Sequence, residues 1–393
     1  MASPPLEGIT VVAIEQAVAA PFATRQLADL GARVIKIERP GSGDFCRDYD
    51  TTVNGLASHF VWINRTKESV TLDLKRPDAA VILDALLARA DVFVQNLAPG
   101  AAARLGLGSD ALRSRYPRLV ICNVSGFGSS GPYAGRKAYD LIVQSEVGML
   151  SVTGTETAPC KVGVSIADIA AGMYAYSGIL TALLMRKDSG EGTVVDVSLF
   201  DSLGEWMGYP AYYTAYGGVP PERTGAQHST IAPYGPYRTA DGSVVVAVQN
   251  PREWIRFCAD VLKRPDVATD ERFRSNPSRA EHRDALTAAI EAVFSDLTSQ
   301  EVLRRLDTAD IASARVNSVG EYLTHPQLAA TDSWLEVESP AGRIKALRPP
   351  ARLLGVEPVM GGVPAVGQHS DAVLRELAFD PQTIANWRET GVI

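Results

Sequence analysis

Short apolar runs alternate along the chain with longer stretches in which apolar residues recur every three or four positions. Ile9–Ile14 is a run of the first kind. Pro21 can then open a helix whose apolar positions Phe22, Leu27 and Leu30 stop at Gly31, because proline suits a helix start and glycine the residue past its end. Val34–Ile37 follows as a second strand. This strand–helix–strand spacing predicts parallel pairing and a ligand beyond the carboxyl ends of the strands. The alternation continues with a strand near Ser69–Leu74, a helix at Pro77–Arg89 and strands at Val92–Gln95 and Leu119–Val124. A long helix from about Asp168 to Arg186, a strand at Val194–Ser198 and a helix from about Asp201 complete it. The pattern predicts an α/β fold built on a large Rossmann-like parallel sheet.

Between Gly217 and Gly235 the composition shifts to Gly, Pro, Thr and Ser, and the periodicity lapses. A large α/β domain is therefore expected over 1–216, a linker over 217–235 and a smaller α+β domain over 236–333. The small domain begins with a strand at Ser243–Val248 and is mostly helical from Pro251 to Thr308. Residues 334–393 carry strand-like and Pro-rich pieces and a closing helix at Asp371–Leu377. Two domains also suit 393 residues, more than one core usually serves.

Composition narrows the function classes. Thirty-eight Lys plus Arg against forty-five Asp plus Glu give a net charge of −7, which disfavours nucleic acid as a partner. Cys46, Cys122, Cys160 and Cys258 form no C-x-x-C pair, so neither a zinc site nor a disulfide framework is expected, and a cytoplasmic location fits. No basic segment followed by an apolar one opens the chain, so no secretory signal is expected. The uncharged stretch Ile169–Met185 is short for a bilayer span and contains Gly172, Ser177 and Gly178; it reads as a buried helix, with no membrane partner.

Several familiar chemistries drop out at the residues themselves. The stretch Glu15–Pro21, where a dinucleotide fingerprint would lie, has no glycine, and Glu38 then reads as a surface charge. The histidines at 59, 228, 282, 325 and 369 show no metal-binding spacing, so no metal is expected. Ser125–Pro132 is glycine-rich but matches neither a P-loop nor the serine hydrolase elbow. Asp168 stands out as the single charge between Lys161 and Arg186, at the start of a strongly apolar helix. Two readings stay open for it: an N-cap or a partly buried carboxylate nucleophile able to form acyl intermediates. Arg39, Lys75, Arg104 and Lys137 fall near strand ends or loops, where cations can pair with phosphates.

Pro5–Ile9, Leu30–Asp44, Asn64–Ser69, Leu72–Lys75, Ala90–Asn96, Pro99–Gly100, Arg104–Gly106, Tyr139–Asp140 and Gly367–Asp371 together resemble, in order and spacing, the class III CoA-transferases. This is the family of formyl-CoA transferase and carnitine CoA-transferase, in one superfamily with α-methylacyl-CoA racemase. The resemblance implies that Asp168 accepts the acyl group. It implies that Val18, Ala19, Arg39, Leu72, Lys75, Asn96, Leu97, Arg104, Lys137, Tyr139 and Asp140 contact CoA, which acts as a substrate and not as a resident cofactor. It further implies an interlocked homodimer and a C-terminal segment that returns to the large domain. Gln16, and Arg223 and His228 on the linker, are candidate contacts to the acid, with a hydrogen-bonded linker as the competing reading for the last two.

The expected activity is transfer of CoA from an acyl-CoA to a short-chain or dicarboxylic acid such as succinate or itaconate. Racemases that resemble this chain carry a histidine directly before the aspartate matching Asp140, because removing an α-proton needs a base of near-neutral pKa. Here that position is Tyr139, with an unperturbed pKa of about 10, so racemase ranks below transferase. A catalytically silent CoA-binding protein is the third reading. The Ser125–Gly128 loop or the small lobe is expected to supply oxyanion donors.

Overall fold

The computed structural model describes residues 2–393. The chain divides into two compact units. The first comprises the chain up to Val147, Val162–Gly208 and Ala329–Ile393; the second comprises Gly148–Lys161 and Tyr209–Leu328. Gly148–Lys161, which sequence places in the large domain, thus groups with the second unit.

The first unit is built on a parallel sheet of β1 (Thr10–Ile14), β2 (Arg33–Glu38), β3 (Lys67–Thr71), β4 (Val92–Gln95), β5 (Val120–Ser125) and β6 (Val194–Ser198), in the order β3-β2-β1-β4-β5-β6. The chain steps outward from β1 to β3, then crosses back to β4, so the order reverses between β1 and β4. A crevice opens beyond the carboxyl ends at such a reversal. Strands covered on both faces are nearly continuous apolar runs, as β4 shows with all four residues buried. On one face Val12, Ile35, Phe93 and Ile121 pack with Ile82 and Leu86 of the Pro77–Leu87 helix and with Leu374 and Trp387 near the C-terminus. The other face is covered by the helix Ala19–Asp29 and the long helix, which pack closely together.

The long helix runs Ile166–Ser189 and ends at Gly190 in the left-handed region (φ 75°). The first half of its buried face is made of small residues, Ala167, Ala170, Ala171, Gly172 and Ala175, and the second half adds Ile179, Leu183 and Arg186. A Cβ on Gly172 would sit 2.7 Å from the Ala19 carbonyl oxygen, so glycine there sets the approach of the two helices. Other large residues face outward: Leu184 is 63% and Met185 57% exposed. The expectation of a buried helix is therefore corrected to a half-buried one. By length and composition alone this helix could cross a membrane, a test that the core helix of a globular protein also passes.

Edge strand β3 is covered by the returning C-terminal chain. After a hairpin of β10 (Trp334–Val337) and β11 (Ile344–Leu347), Thr66 N–H donates to Gly362 O, and His369 N–H to Ser69 O. Ser69 N–H donates in turn to His369 Nδ1. Two helices sequence did not predict, Ser58–Asn64 and Pro381–Glu389, also belong to this unit.

The second unit has an antiparallel sheet of β7 (Tyr234–Thr239), β8 (Gly242–Ala247) and β9 (Ala312–Arg315). Tyr237, Val246, Trp254, Phe257 and Phe294 are among its core residues.

Candidate active site

The residues expected to contact CoA all follow the carboxyl ends of the sheet strands in the first unit. Val18 and Ala19 follow β1, as does Gln16, the candidate contact to the acid; Arg39 follows β2, and Leu72 and Lys75 follow β3. Asn96, Leu97 and Arg104 follow β4, while Lys137, Tyr139 and Asp140 follow β5. Arg39, Lys75, Arg104 and Lys137 are exposed, as cations meeting a polyphosphate would be. Val18, Ala19 and Leu72 are buried, leaving mainly their backbone to face a ligand. Asn96 is committed to the fold: its Oδ1 accepts Gln16 N–H at 2.9 Å and its Nδ2 donates to Gln16 O at 2.8 Å, bridging the switch between β1 and β4. Leu97 packs on the core.

Asp168 lies in the first turn of the long helix, not at its cap; the N-cap residue is Ser165, whose side chain makes no capping bond. Asp140, twenty-seven positions earlier, does that work, since its Oδ1 accepts Ala167 N–H at 2.7 Å and its Oδ2 accepts Gln144 Nε2 at 2.7 Å. The Asp168 carboxylate has no hydrogen-bond partner among the described residues. Burial, with the Asp140 charge in support, pushes its pKa up to about 7. A helix N-terminus favours the anion and works against that rise. A carboxylate neither spent in hydrogen bonds nor firmly ionised is poised for nucleophilic or proton-transfer chemistry.

Around Asp168 the structure brings Tyr49, which sequence did not single out, together with Tyr139 and the Ser125–Gly128 loop, which it did. Tyr49 has its pKa raised to about 12 by burial and by Cys46, Asp44, Asp168 and Tyr139, so its hydroxyl lies within the field of both aspartates. Tyr49 also packs against Phe45 and edge-on against His59, with ring centroids 5.9 and 5.5 Å apart. Tyr139 is 61% exposed and precedes the helix Asp140–Glu146. The Ser125–Gly128 loop abuts this region, for a Cβ on Gly126 would lie 2.2 Å from Ala138 Cβ. Gly128 N–H is already given to Ser125 Oγ at 3.0 Å.

Beneath β1 and β2 lies a buried charge cluster, and Glu38, expected on the surface, is part of it at 4% exposure. Glu38 bonds Arg47 Nη2 at 2.7 Å, Ser69 Oγ and Asp44 N–H. Lys36 Nζ pairs with Asp44 Oδ2 at 2.8 Å, and Lys67 Nζ with Glu15 Oε1 at 2.7 Å. Burial disfavours the Lys36 charge, yet Asp44, Glu15 and Glu38 outweigh it and hold its pKa above the ordinary value. For Lys67 burial prevails over Glu15 and lowers the pKa to about 8. The charges stay inside because each has a partner.

Arg223 and His228 belong to the second unit. The Arg223 guanidinium donates to the carbonyls of Thr155 (2.9 Å) and Glu156 (2.7 Å), fastening the Gly148–Lys161 segment. His228 Nδ1 accepts the N–H groups of Thr230 and Ile231, and its ring stacks on Tyr234. Both side chains thus carry local structural bonds.

A family profile described as CoA-transferase family III matches residues 6–370. The chain is 34% identical over 385 residues to the succinate–glutarate CoA-transferase of Agrobacterium fabrum, covering 95% of this chain and 96% of that protein. It is 30% identical over 394 residues to the succinyl-CoA:glutarate CoA-transferase of Homo sapiens, covering 99% and 90%. Among solved structures, a CAIB/BAIF family protein from Brucella suis superposes with a TM-score of 0.85 at 32% identity, covering 96% of this chain and all of that one. The chain belongs to CoA-transferase family III.

Proposed function

We propose that the protein moves CoA from an acyl-CoA thioester to a free carboxylic acid through a covalent intermediate on Asp168. The observation that carries this reading is the partly buried, unbonded Asp168 carboxylate with its pKa near 7. Exposed Arg39, Lys75, Arg104 and Lys137 around the same strand ends suit the phosphates of CoA. A carboxylate oxygen of Asp168 adds to the donor thioester carbon, the C–S bond breaks, and a mixed anhydride and CoA thiolate form. The thiolate attacks the aspartyl carbonyl, the anhydride C–O bond breaks, and the donor acid leaves. The acceptor carboxylate reverses the sequence and leaves as its CoA thioester, restoring Asp168. Relatives named for succinate and glutarate favour dicarboxylic acids, so the proposed substrates are succinyl-CoA with glutarate, itaconate or a similar acid.

Mass spectrometry of the protein incubated with succinyl-CoA is the direct test. A CoA-sized adduct on the Asp168 peptide is expected, and none in Asp168→Ala, which should lose transfer while still binding CoA. No adduct with any donor, together with exchange of the α-proton for deuterium in the recovered thioester, would replace transferase by racemase.

We further infer that the protein works as a homodimer. The helix Gly208–Gly217 has no buried residue, and its stacked Tyr212 and Tyr216 are 69% and 85% exposed. A second copy covering them would remove that apolar surface from water. Light scattering should give twice the chain mass; a monomer at micromolar concentration would reject this.

A further inference from the structure

The turn that leaves β1 contains a left-handed residue that is not glycine. Ala17 has φ 59°, a region that is costly for any side chain with a Cβ. Such a conformation persists only where surrounding bonds dictate it, and here they do. Lys36 Nζ donates to Glu15 O at 3.2 Å. Asn96 takes both backbone groups of Gln16. Ala17 N–H donates to Asp44 Oδ1 at 3.1 Å. Asp44 is itself immobilised: 1% exposed, it accepts Cys46 N–H at 3.0 Å, pairs with Lys36 at 2.8 Å and gives its own N–H to Glu38 at 2.8 Å.

The turn sits beside the proposed nucleophile. Gly172 lies one helical turn after Asp168 on the same side of the long helix. That glycine abuts the Ala19 carbonyl and Phe22, at 2.7 and 2.9 Å from where its Cβ would be. The hydroxyl of Tyr49 feels the charges of both Asp44 and Asp168.

We propose that Asp44 is a positioning residue, which through its bond to Ala17 N–H holds the Gln16–Val18 turn in the strained conformation that faces the Asp168 site. The charge of Asp44 is needed to keep Lys36 in the interior, and its Oδ1 is needed to hold the turn. This rests on the covalent reading of Asp168. It assigns no bond-making step to Asp44, and it predicts that the defect on removing Asp44 arises from the backbone of residue 17.

The experiment measures the rate at which succinyl-CoA forms the adduct on the Asp168 peptide, by rapid quench and mass spectrometry, with the melting temperature of every variant. Asp44→Ser, too short to reach Ala17, should slow adduct formation about tenfold or more, as a misplaced reacting group does. Adding Ala17→Gly, which makes φ near 60° free of cost, should recover most of that loss without returning the charge. Ala17→Val leaves the ion pairs intact but makes the turn far costlier. It should slow the reaction about tenfold or more while the protein still folds, its melting temperature lowered only by the strain at that one residue, and it decides the matter if Asp44→Ser does not fold. A wild-type rate in Asp44→Ser or Ala17→Val, or a double variant no faster than Asp44→Ser, would overturn the assignment. A wild-type protein that never forms the adduct would instead remove the covalent reading, and this inference with it.

Discussion

As the proposed nucleophile, Asp168 faces opposite demands for reactivity and for stability, and both can be measured. Attack on a thioester requires the carboxylate, so with a pKa near 7 the rate of adduct formation should rise between about pH 6 and 8, in step with ionisation. Asp140 adds to that raised value, so Asp140→Asn should move the rise to lower pH; an unmoved profile would show that burial alone sets it. The sign reverses for folding. A carboxyl whose pKa is higher folded than unfolded lends stability that is complete below about pH 4 and lost as pH climbs through 7. Asp168→Asn should therefore raise stability at pH 8 by roughly 1–3 kcal/mol after allowance for solvent screening, with little effect at pH 4, as urea titrations at the two pH values would show. The isolation of Asp168 in an apolar stretch was legible in the sequence. Its freedom from capping was not, because the substitute cap Asp140 comes from another element. Glu38 was misread for a related reason. Without glycines after β1 Glu38 reads as a surface charge, but Arg47 and Ser69, both outside β2, pair with it in the interior.

At the scale of elements, glycine in the long helix has two meanings that sequence cannot separate. A Cβ on Gly172 would press on the backbone oxygen of Ala19, which cannot move without shifting a helix. A Cβ on Gly178 would meet the Val195 Cγ1 methyl at 2.7 Å, the end of a side chain. Gly172→Ala should therefore destabilise by about 1–3 kcal/mol and depress adduct formation by shifting the Asp168 turn. Gly178→Ala should be much milder, since the gain in helix propensity of about 1 kcal/mol offsets the crowding. Equal losses in chemical denaturation would mean that the close approach of the helices is not what fixes the site. Periodicity places the six strands of the parallel sheet near their observed positions, with β3 displaced toward the N-terminus, and misses β7, β9 and the short helices Ala101–Arg104, Ser109–Arg115 and Asp140–Glu146. The final helix was findable: Asp380 followed by Pro381 is a start signal, and the Asp380 side chain accepts the Gln382 and Thr383 N–H groups. The helix Ser58–Asn64 gave less to work with, being seven residues long and lacking a side-chain cap.

For the whole chain, the long-range fact that no local pattern could supply is how edge strand β3 is closed. An unprotected edge strand invites pairing with other chains, and here Gly362 and His369 occupy that edge some three hundred positions later in sequence. The closure depends on the protonation of one ring. His369 Nδ1 accepts Ser69 N–H at 3.1 Å, which an imidazolium, with both nitrogens protonated, cannot do. Burial lowers the His369 pKa, Arg33 lowers it further and Glu68 opposes them. Because the folded value lies below the unfolded one, the unfolded chain binds the proton first as pH falls. The contribution to stability is complete above about pH 6.5 and declines as pH drops through the folded value. His369→Asn can keep the bond, since an asparagine Oδ1 accepts where Nδ1 did, but it does not titrate. Its melting temperature should match wild type at pH 7.5 and exceed it at pH 5, by the worth of about one hydrogen bond, or 1 kcal/mol. The same serine links to the buried charge cluster, for Ser69 Oγ donates to Glu38, which also receives the N–H of Asp44. Acid should therefore slow adduct formation in wild type more than in His369→Asn. Identical acid limbs in the two proteins would confine His369 to holding down the C-terminal chain.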